Sequence, residues 1–463
     1  MLPLALLLAT LSSAWAAPTM CGLVPPSVAA ASPSPTAAGG SSVPPSTGSG
    51  SGKSTDDIVA TAWYTGWNAA QLPVDQVSWD KYTSMTYAFA LPQADGTILL
   101  QDSDVALLPQ FVQAAHSSNT RAMLTIGGWT GSKYFSSLVA TSDNRTSFVN
   151  AAMQLVSQYD LDGLDFDWEY PGAPGDCNVN TPDDTQNFLL FLQQLRGQAP
   201  NITLSAAVSL TPFVDDSGSP STDVSGFAKV LDYIAIMDYD VFGPGWSTSV
   251  GPNAPLNDTC APAGMQQGSA VSAVKAWTSA GFPANQLVLA LAAYGHGFVV
   301  NTTSAYDQAN ITATASFAST EMPAGTMPIA GYPPIGNSSV PEGDSTDAWG
   351  VGGTLDECGR MTQPGWGGVW NFAGLVTGGF LDQNGTAVSG LGYRFDTCSQ
   401  TPYVYIEDRQ TMVAYDDPTS FAAKGQFIAE QGLRGFAIWE AAGDYQDLLL
   451  DAVSSAIGIE EHQ

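Results

Sequence analysis

The stretch LDGLDFDWEYP, at residues 161 to 171, alternates acidic with apolar side chains. The acidic positions are Asp165, Asp167 and Glu169, and the apolar positions are Leu164, Phe166 and Trp168. Because successive side chains of a β-strand leave opposite faces, this period of two places three carboxylates on one face. The sequence therefore predicts a strand that is buried on one face, against helices or another sheet, and lined with carboxylates on the other.

Asp162 is out of phase with these carboxylates by one residue. It lies either in the turn before the strand or on the acidic face by way of a β-bulge. The alternative for the whole stretch is an edge strand whose acidic face simply meets water. Three like charges on one face repel each other, and a solvated strand has no reason to collect them beside Trp168 and Tyr170. We therefore expect a functional site.

Composition limits the class of protein and its partners. With 463 residues and 44% hydrophobic content, the chain can form one large α/β barrel with an insertion, or two to three smaller domains. The 13 Lys and Arg residues against 43 Asp and Glu residues give a formal net charge of -30. This charge repels nucleic acid and anionic membranes, so we expect neither as a partner and predict a neutral substrate. We further expect a monomer without a cofactor.

The N-terminal segment has the pattern of an exported protein. Residues 1–16 combine an apolar run with the small-x-small sequence Ala14-Trp15-Ala16, which predicts a signal peptide, although a short buried helix is the alternative. Residues 17–57 are rich in Pro, Ser, Thr and Gly and predict a flexible linker. Glycosylation sequons occur at Asn144, Asn201, Asn257, Asn301, Asn310, Asn337 and Asn384. We expect a secreted glycoprotein, extracellular or associated with the cell wall.

Five cysteines follow the predicted signal peptide: Cys21, Cys177, Cys260, Cys358 and Cys398. The odd count leaves one unpaired, and Cys21 stands alone before the linker. The other four allow three pairings, of which the grouping of segments favours Cys177 with Cys260 and Cys358 with Cys398. No metal site is expected, because the chain has no CxxC sequence and its three histidines are scattered.

From residue 58 onward, short runs of strand type alternate with helical stretches. The runs are Ile58–Trp67, Met85–Ala90, Ala122–Trp129, Leu161–Tyr170, Ile202–Ser209, Tyr233–Asp240, Leu287–Phe298 and Gly435–Glu440. Eight such strands predict a (β/α)8 TIM barrel over residues 58–463, with the acidic strand fourth. An open, doubly wound sheet is the competing architecture.

More than a hundred residues separate the last two runs. The segment at about 300–405 is rich in Gly and aromatic residues, and it predicts an α+β insertion domain between strands seven and eight. Insertions at the carboxyl ends of barrel strands form walls around the active-site face. This insertion is therefore expected to deepen a groove.

The sequence DGLDFDWEYP resembles the DxxDxDxE signature of family 18 glycoside hydrolases, the chitinases and their relatives. The resemblance covers nearly all of residues 58 to 455. Further motifs follow in the family's order. TIGGW at 125–129 resembles the SxGG motif, MDYD at 237–240 resembles MxYD, and YGHGF at 294–298 resembles YGR. YDD at 415–417, with Lys424, resembles the segment before strand eight, and Trp439 matches the tryptophan that forms the floor of the sugar site. His296 replaces the usual Arg of the YGR motif. Within the family, this set is most similar to secreted chitinases of the fungal, basidiomycete type.

The resemblance implies a role for each acidic residue. Hydrolysis of a β-1,4 N-acetylglucosaminide needs an acid that protonates the leaving oxygen, and Glu169, last on the strand, is the candidate. In this family the acetamido oxygen of the substrate is the nucleophile. Asp167 is then expected to orient the acetamido group, and Asp165 to share a proton with Asp167 and so set its charge. Tyr239 is expected to donate its hydroxyl to the acetamido carbonyl.

The same resemblance and the aromatic pattern indicate residues that bind the sugar. They are Trp439, Asp240, Met237, Tyr170, Trp129, Gly128 and Trp67. Aromatic rings stack on the C–H faces of pyranose rings, although large aromatic residues are also common in cores. Trp246 is a further stacking candidate, and His296 has either a functional role or only a local hydrogen bond.

The expected function is endo-acting hydrolysis of chitin or chitooligosaccharides. A non-catalytic chitin-binding lectin on the same barrel is one alternative, and the complete set of Asp165, Asp167 and Glu169 argues against it. An endo-β-N-acetylglucosaminidase acting on N-glycans is the other, and the large insertion and aromatic groove are less expected for that activity.

Overall fold

The computed structural model describes residues 58–336, 339–356 and 358–459. The predicted signal peptide (1–16), the predicted linker (17–57), Cys21 and the sequon at Asn337 lie outside the described residues. None of the helices in the described ranges is both long enough and apolar enough to cross a membrane.

The strands of the described residues, in chain order, are β1 (Val59–Thr65), β2 (Ser84–Pro92), β3 (Ile98–Leu99), β4 (Arg121–Gly127), β5 (Gly163–Asp167), β6 (Thr203–Val208), β7 (Tyr233–Met237), β8 (Leu287–Ala292), β9 (Tyr294–Val299), β10 (Met327–Pro328), β11 (Val369–Asn371), β12 (Gly392–Asp396), β13 (Thr401–Ile406), β14 (Thr411–Ala414) and β15 (Gly435–Trp439). The α-helices are α1 (Asp102–Ser117), α2 (Phe135–Val139), α3 (Ser142–Tyr159), α4 (Asp184–Gln198), α5 (Ser225–Ala228), α6 (Ala270–Ser279), α7 (Thr302–Ala305), α8 (Gln308–Ala313), α9 (Phe372–Thr377), α10 (Pro418–Gln431) and α11 (Leu448–Ile457).

Eight parallel strands form a closed barrel in the order β1, β2, β4, β5, β6, β7, β8 and β15. Closure is shown by β1, which pairs in parallel with β2 on one side and with β15 on the other. An open sheet would leave β1 and β15 as edges. The predicted (β/α)8 barrel is confirmed, and the acidic strand β5 is the fourth strand of the barrel.

The apolar face of β5 is buried against helix α4. The side chains of Leu164, Phe166 and Trp168 are almost fully buried. Phe166 meets Phe191 edge to face at 5.3 Å between ring centroids, and Trp168 meets Phe188 at the same distance. This packing fixes which face of β5 points outward, so the alternate, acidic side chains point into the barrel.

The predicted seventh strand, Leu287–Phe298, is two strands in two sheets. Strand β8 stays in the barrel, whereas β9 pairs antiparallel with β11 and β14 in the insertion. Ala293 separates them: its N–H donates to the carbonyl of Trp439, and its own carbonyl accepts from the N–H of Phe372, both at 2.9 Å. The first bond continues the parallel pairing of β8 with β15, and the second joins Ala293 to the insertion, so the chain passes from one sheet to the other at this residue. The sequence of Leu287–Phe298 is one apolar run without turn residues, so this break between the two strands was not predicted.

The insertion is built on a six-stranded sheet in the order β10, β12, β13, β14, β9 and β11. Helices α7, α8 and α9 lie in the same segment, so it is of α+β type. The sheet includes Tyr294 at its start and Ala414 at its end. It therefore extends beyond the predicted range of 300–405 on both sides.

Within the described residues, two disulfides join Cys177 to Cys358 and Cys260 to Cys398. The predicted pairing was wrong, because it kept each bond within one group of neighbouring segments. Each bond instead links a loop of the barrel to the insertion, which folds back over those loops. Cys177 lies in the loop after β5, and Cys260 lies in the loop after β7.

The YDD segment shapes the end of the barrel next to the site. Asp417 caps helix α10 by accepting from the N–H of Ser420 at 2.8 Å, and Pro418 occupies the first turn. Asp416 accepts from the ammonium of Lys424 at 2.6 Å, with both side chains buried. These contacts hold α10, which leads directly into β15 and Trp439.

Candidate active site

Asp165 occupies the centre of the barrel. The parallel register places Thr125 of β4 and Ser205 of β6 directly beside it. Ser205 donates to Oδ1 at 2.7 Å, and Thr125 donates to Oδ2 at 3.0 Å. The indole N–H of Trp63, from β1, also donates to Oδ2, at 3.2 Å. Burial raises the pKa of Asp165, and these three hydrogen bonds oppose that shift.

Asp167 lies one layer nearer the mouth of the barrel and is also buried. Its Oδ1 atom has no hydrogen-bond partner among the described residues. Burial raises the pKa of this carboxyl well above its usual range, and the charges of Glu169 and Asp165 add to the shift. Since buried polar atoms are nearly always satisfied, an acceptor open at this depth fits an N–H donor brought by a ligand.

Glu169 lies two residues after the end of β5 and is held through its backbone. Its N–H donates to the hydroxyl of Ser132 at 2.8 Å, and this hydroxyl donates to the carbonyl of Gly128, also at 2.8 Å. The pKa of Glu169 is raised to about 7. Burial is the main cause, the charge of Asp240 adds to the shift, and a hydrogen bond from Tyr170 opposes it. At mildly acidic pH this side chain is therefore a protonated acid at the mouth of the barrel.

Asp240 closes the other side of the site, just after β7. Its Oδ1 accepts from the hydroxyl of Tyr294 and from Nε2 of His296, both at 2.7 Å. Burial in the cleft raises the pKa of Asp240, but the contact with His296 and the bond from Tyr294 outweigh it, so the pKa is lowered. The side chain is 52% exposed, so it borders open space. Asn253 holds the backbone of Asp240 by accepting its N–H at 2.9 Å.

Tyr239 lies between the two acidic sides of the site. Burial raises its pKa well above the usual value, and the charges of Asp167, Asp240 and Glu169 add to the shift. Its hydroxyl is therefore protonated at any ordinary pH and is available as a donor. Met237 is the last residue of β7 and is only partly buried.

Aromatic rings line the same mouth of the barrel. Trp439 stacks on Phe89 at 5.6 Å and meets Trp63 edge to face at 5.7 Å, which connects it to the group around Asp165. The ring centroid of Trp67 lies 6.0 Å from that of Phe89, on the outer side. Trp129 follows the end of β4. The side chains of Trp67 and Trp129 are both largely exposed. Trp246 is exposed and meets the ring of His296 at 5.3 Å.

The structure brings the predicted residues Asp165, Asp167, Glu169, Tyr239, Asp240 and Trp439 to one end of the barrel. Asp162 is not among them. It precedes β5 at the opposite end of the strand, where Oδ2 accepts from the N–H of Ala122 and contacts Nε2 of His116, both at 2.8 Å. Asp162 therefore lies in the turn before the strand, which was one of its two predicted positions.

Sequence reasoning missed the residues that hold the site. Ser205 and Trp63 donate to Asp165, while Tyr294 and Asn253 hold Asp240. Glu440 accepts from Thr65 at 2.9 Å and from Asn68 at 3.0 Å, which fixes the chain immediately after Trp439. Ser205 could have been found by aligning neighbouring parallel strands, because it faces the barrel at the level of Asp165.

One group of potential metal-binding atoms occurs within the described ranges, formed by Asp176, Cys177 and Cys358. Both sulfur atoms belong to the disulfide, so neither is available as a thiolate ligand.

The family described as Glycosyl hydrolases family 18 matches residues 60–444. A chitinase-like effector of Moniliophthora roreri is 46% identical over 401 residues, which cover 86% of this chain and 93% of that protein. A chitinase-like effector of Moniliophthora perniciosa is 44% identical over 417 residues, covering 89% of this chain and 90% of that protein.

Among solved structures, a chitinase from Rhizomucor miehei is similar with a TM-score of 0.72 and 33% identity, covering 86% of this chain and 100% of that one. A class V chitinase from Nicotiana tobaccum, in complex with NAG4, has a TM-score of 0.64 at 21% identity and covers 87% of this chain and 99% of that one, which shows the shared fold. The fold, the acidic strand and these matches agree with one another, and the chain belongs to family 18 of the glycosyl hydrolases.

Proposed function

We propose that this protein is a secreted chitinase that hydrolyses β-1,4 N-acetylglucosamine linkages with retention of configuration, by a substrate-assisted mechanism. The observation that carries the proposal is the pairing of two neighbouring carboxyl groups that have different contacts. Glu169 has a pKa of about 7 and can donate a proton, whereas Asp167 has a buried oxygen without a partner and can accept an N–H. Two carboxyl groups in different environments are the usual basis for separate acid and orienting roles.

In the first step, Glu169 protonates the glycosidic oxygen as the bond from that oxygen to the anomeric carbon breaks. The acetamido oxygen of the same sugar attacks the anomeric carbon, which forms a cyclic oxazolinium ion. The acetamido N–H donates to the open oxygen of Asp167. This hydrogen bond favours the charged form of Asp167, whose pKa is raised in the free site, and the negative charge then stabilises the positive charge that develops on the ring.

In the second step, the Glu169 carboxylate takes a proton from water, and the resulting oxygen attacks the anomeric carbon from the face that the leaving group occupied. The oxazolinium ring opens and the acetamido group is restored. Two displacements at one carbon give net retention.

Asp165 acts in this scheme mainly through its charge. Both of its oxygens already accept hydrogen bonds from Trp63, Thr125 and Ser205, and its charge raises the pKa of Asp167. Proton sharing between Asp165 and Asp167 stays a prediction, because Oδ1 of Asp167 has no partner within the described part of the chain.

Chitin binding without hydrolysis is a second candidate function. The observation in its favour is that two relatives, at 46% and 44% identity, carry the name chitinase-like effector. Asp165, Asp167 and Glu169 are all present, and this complete set of carboxylates favours hydrolysis. Hydrolysis of N-glycans is the third candidate.

One experiment separates these functions. The purified protein and its Glu169→Gln variant are assayed on soluble chitin oligomers and on a high-mannose glycoprotein, and oligomer affinity is measured by calorimetry. A chitinase cleaves the oligomers and loses about 10²- to 10⁴-fold of its rate in the variant while binding persists. Binding without cleavage by the wild type supports the lectin, and release of glycans supports the third candidate.

Secretion is part of the proposal. Two disulfides between distant segments support it, since such bonds are typical of oxidising compartments. N-terminal sequencing of protein recovered from the culture medium tests it. The proposal predicts a mature chain that begins after Ala16, and retention of residues 1–16 would contradict it.

A further inference from the structure

One buried carboxyl group beside the active site takes no part in the proposed mechanism. Asp238 is the variable position of the MDYD motif and directly follows the last residue of β7. Its side chain is fully buried, whereas Met237 and Tyr239 are only partly buried and Asp240 is exposed. Burial therefore alternates along the motif, and Asp238 points away from the cleft, behind the residues that line it.

The side chain of Asp238 lacks the contacts that normally stabilise a buried charge. Both of its oxygens are buried, and neither has a hydrogen-bond partner among the described residues. Asp165, which is also buried, accepts three hydrogen bonds by comparison. Because an ionised carboxylate without partners is costly in a protein interior, such a group usually keeps its proton. The surroundings of Asp238 therefore favour the neutral acid.

The charges around Asp238 favour the neutral form as well. They come from Lys424 on α10, from Asp416 just before that helix and from Asp258 in the loop after β7. The ammonium of Lys424 is attractive, but it already contacts Asp416 at 2.6 Å, with both side chains buried. An ionised Asp238 would therefore place a further carboxylate around a cation that is already paired.

The pKa of Asp238 agrees with this geometry. It is raised to about 8, mainly by burial, while the charge of Lys424 opposes the shift and those of Asp416 and Asp258 add to it. Asp416 also has one buried oxygen, Oδ2, without a partner in the described ranges. A neutral Asp238 brings a hydrogen-bond donor to a group of side chains that otherwise holds open acceptors. Loss of its proton would remove that donor and add a charge at the same time.

The chain turns sharply at Asp238 as it enters the site. The N–H of Asp238 donates to the carbonyl of Ile236 at 2.9 Å, and Asp240 has a left-handed backbone with a φ of 56°. Asn253 accepts the N–H of Asp240 at 2.9 Å. Tyr239 therefore lies between two fixed points, the buried side chain of Asp238 and the backbone of Asp240. Movement of Asp238 would displace both site residues, because they are the next two in the chain.

We propose that Asp238 is a positioning residue that acts only as a neutral acid. Its neutral form keeps Tyr239 and Asp240 in place, and its ionisation is a pH switch that releases them and sets an upper pH limit for the site. Asp238 does not touch the substrate, so its effect passes through those two side chains. The inference rests on the proposed function for its kinetic test, whereas its tests by stability and by binding are independent of hydrolysis.

The first test measures stability against pH. The unfolded chain holds this proton only below the ordinary pKa of 3.8, whereas the folded chain holds it up to a pKa of about 8, so the wild type should lose stability as the pH rises between these values. Denaturant titration gives the unfolding constant at each pH. The ratio of this constant in the wild type to that in Asp238→Asn, which stays neutral, should rise by up to about tenfold per pH unit over this range and level off above it. A ratio that does not change with pH would overturn the proposal.

Two further variants support this comparison. Asp216→Asn is the matched control, because it removes a carboxylate that is exposed in the loop after β6, and its ratio to the wild type should stay constant with pH. Asp238→Ser removes the same charge with a smaller side chain, so the test remains informative if Asp238→Asn does not fold. Its ratio should rise with pH in the same way, and a flat ratio for Asp238→Ser would contradict the proposal.

The second test measures whether the neutral acid positions the site. Affinity for the hexamer of N-acetylglucosamine is measured by calorimetry in Glu169→Gln and in the double variant with Asp238→Asn, so that neither hydrolysis nor titration of Glu169 interferes. Relative to the double variant, the affinity of Glu169→Gln should fall by about tenfold per pH unit above about pH 8. Parallel affinities at every pH would reduce Asp238 to a structural residue and would overturn its positioning role.

The pH profile of hydrolysis gives a third readout and separates this inference from the proposed function. Glu169 alone accounts for a tenfold fall of kcat/KM per pH unit, and ionisation of Asp238 should add about a second tenfold per unit above about pH 8 in the wild type but not in Asp238→Asn. If the wild type hydrolyses nothing, the proposed function fails, yet the stability and affinity comparisons still decide the role of Asp238. If hydrolysis occurs as proposed while those comparisons show no effect of Asp238, only this inference fails.

Discussion

Nε2 of His296 lies 2.7 Å from Oδ1 of Asp240, and the same oxygen accepts from the hydroxyl of Tyr294. Two elements meet at this carboxylate, because Asp240 follows β7 while His296 and Tyr294 both lie on β9 of the insertion. His296 stands where the motif of the resembled family has Arg. His296 contacts the carboxylate of Asp240, so this replacement keeps a basic side chain beside the site.

Removal of His296 should change the acidic limb of the pH profile. The contact with His296 lowers the pKa of Asp240, so His296→Ala lets this pKa rise and Asp240 then takes up its proton at a higher pH. We expect the acidic limb of kcat/KM to move to higher pH, with a raised KM. A matched control is His116→Ala, which removes the histidine of the His116–Asp162 pair at the opposite end of the barrel. Superimposable profiles for His296→Ala and the wild type would contradict this role.

The alkaline limb of the profile should report Glu169. Its pKa is raised to about 7, so the acid form that donates the proton is present below this pH and is lost as the pH rises through it. We therefore expect kcat/KM to fall above about pH 7, tenfold for each further unit. Because Glu169 and Asp167 lie close together, the measured value belongs to the pair. A rate that keeps rising above neutral pH would exclude Glu169 as the acid.

The hydrogen bonds to Asp165 should matter for turnover more than for binding. Ser205→Ala removes the 2.7 Å bond to Oδ1, and a hydrogen bond to a charged group contributes about 1.5–3 kcal/mol. Its loss raises the pKa of Asp165 and weakens the field on Asp167, so we expect kcat to fall by roughly tenfold or more, with little change in KM. Thr203→Ala, on the same strand but outside the site, is the control. Equal kinetics of Ser205→Ala and the wild type would show that the bond is only structural.

The corrected disulfide pairing can be tested by peptide mapping. Proteolysis without reduction should yield linked peptides that contain Cys177 with Cys358 and Cys260 with Cys398. The Cys260→Ser, Cys398→Ser variant should lose about 2–5 kcal/mol of unfolding free energy, because that bond closes a loop of 138 residues. Denaturant titration measures the loss. Peptides linking Cys177 to Cys260 would contradict the structure.

The sequence was most informative where one local period decides the outcome. The alternation around Phe166 predicted that Asp165, Asp167 and Glu169 share one face, and the structure brings all three to the inner side of the barrel. The break at Ala293 was not visible, because it depends on hydrogen bonds to Trp439 and Phe372, which are distant in the chain. The disulfide pairing failed for the same reason.

The candidate site shows the same limit. Residues in recognisable motifs, such as Tyr239 and Asp240, were named in advance. The residues that hold the site were not. Ser132, which holds Glu169, lies in a short 3-10 helix, and Asn253, which holds Asp240, lies in a loop, and neither belongs to a repeating pattern. Thr125 was named only as part of a motif, and the parallel register shows that it donates to Asp165.

In the proposed mechanism the substrate's acetamido group, oriented by Asp167, performs the nucleophilic attack while Glu169 donates the proton. The most direct test compares kcat/KM for the N-acetylglucosamine hexamer with that for the fully deacetylated hexamer. We expect efficient cleavage of the acetylated chain. The deacetylated chain should be cleaved at least about a hundredfold more slowly, because it lacks the intramolecular nucleophile. Efficient cleavage of the deacetylated hexamer, or of neither hexamer, would contradict it.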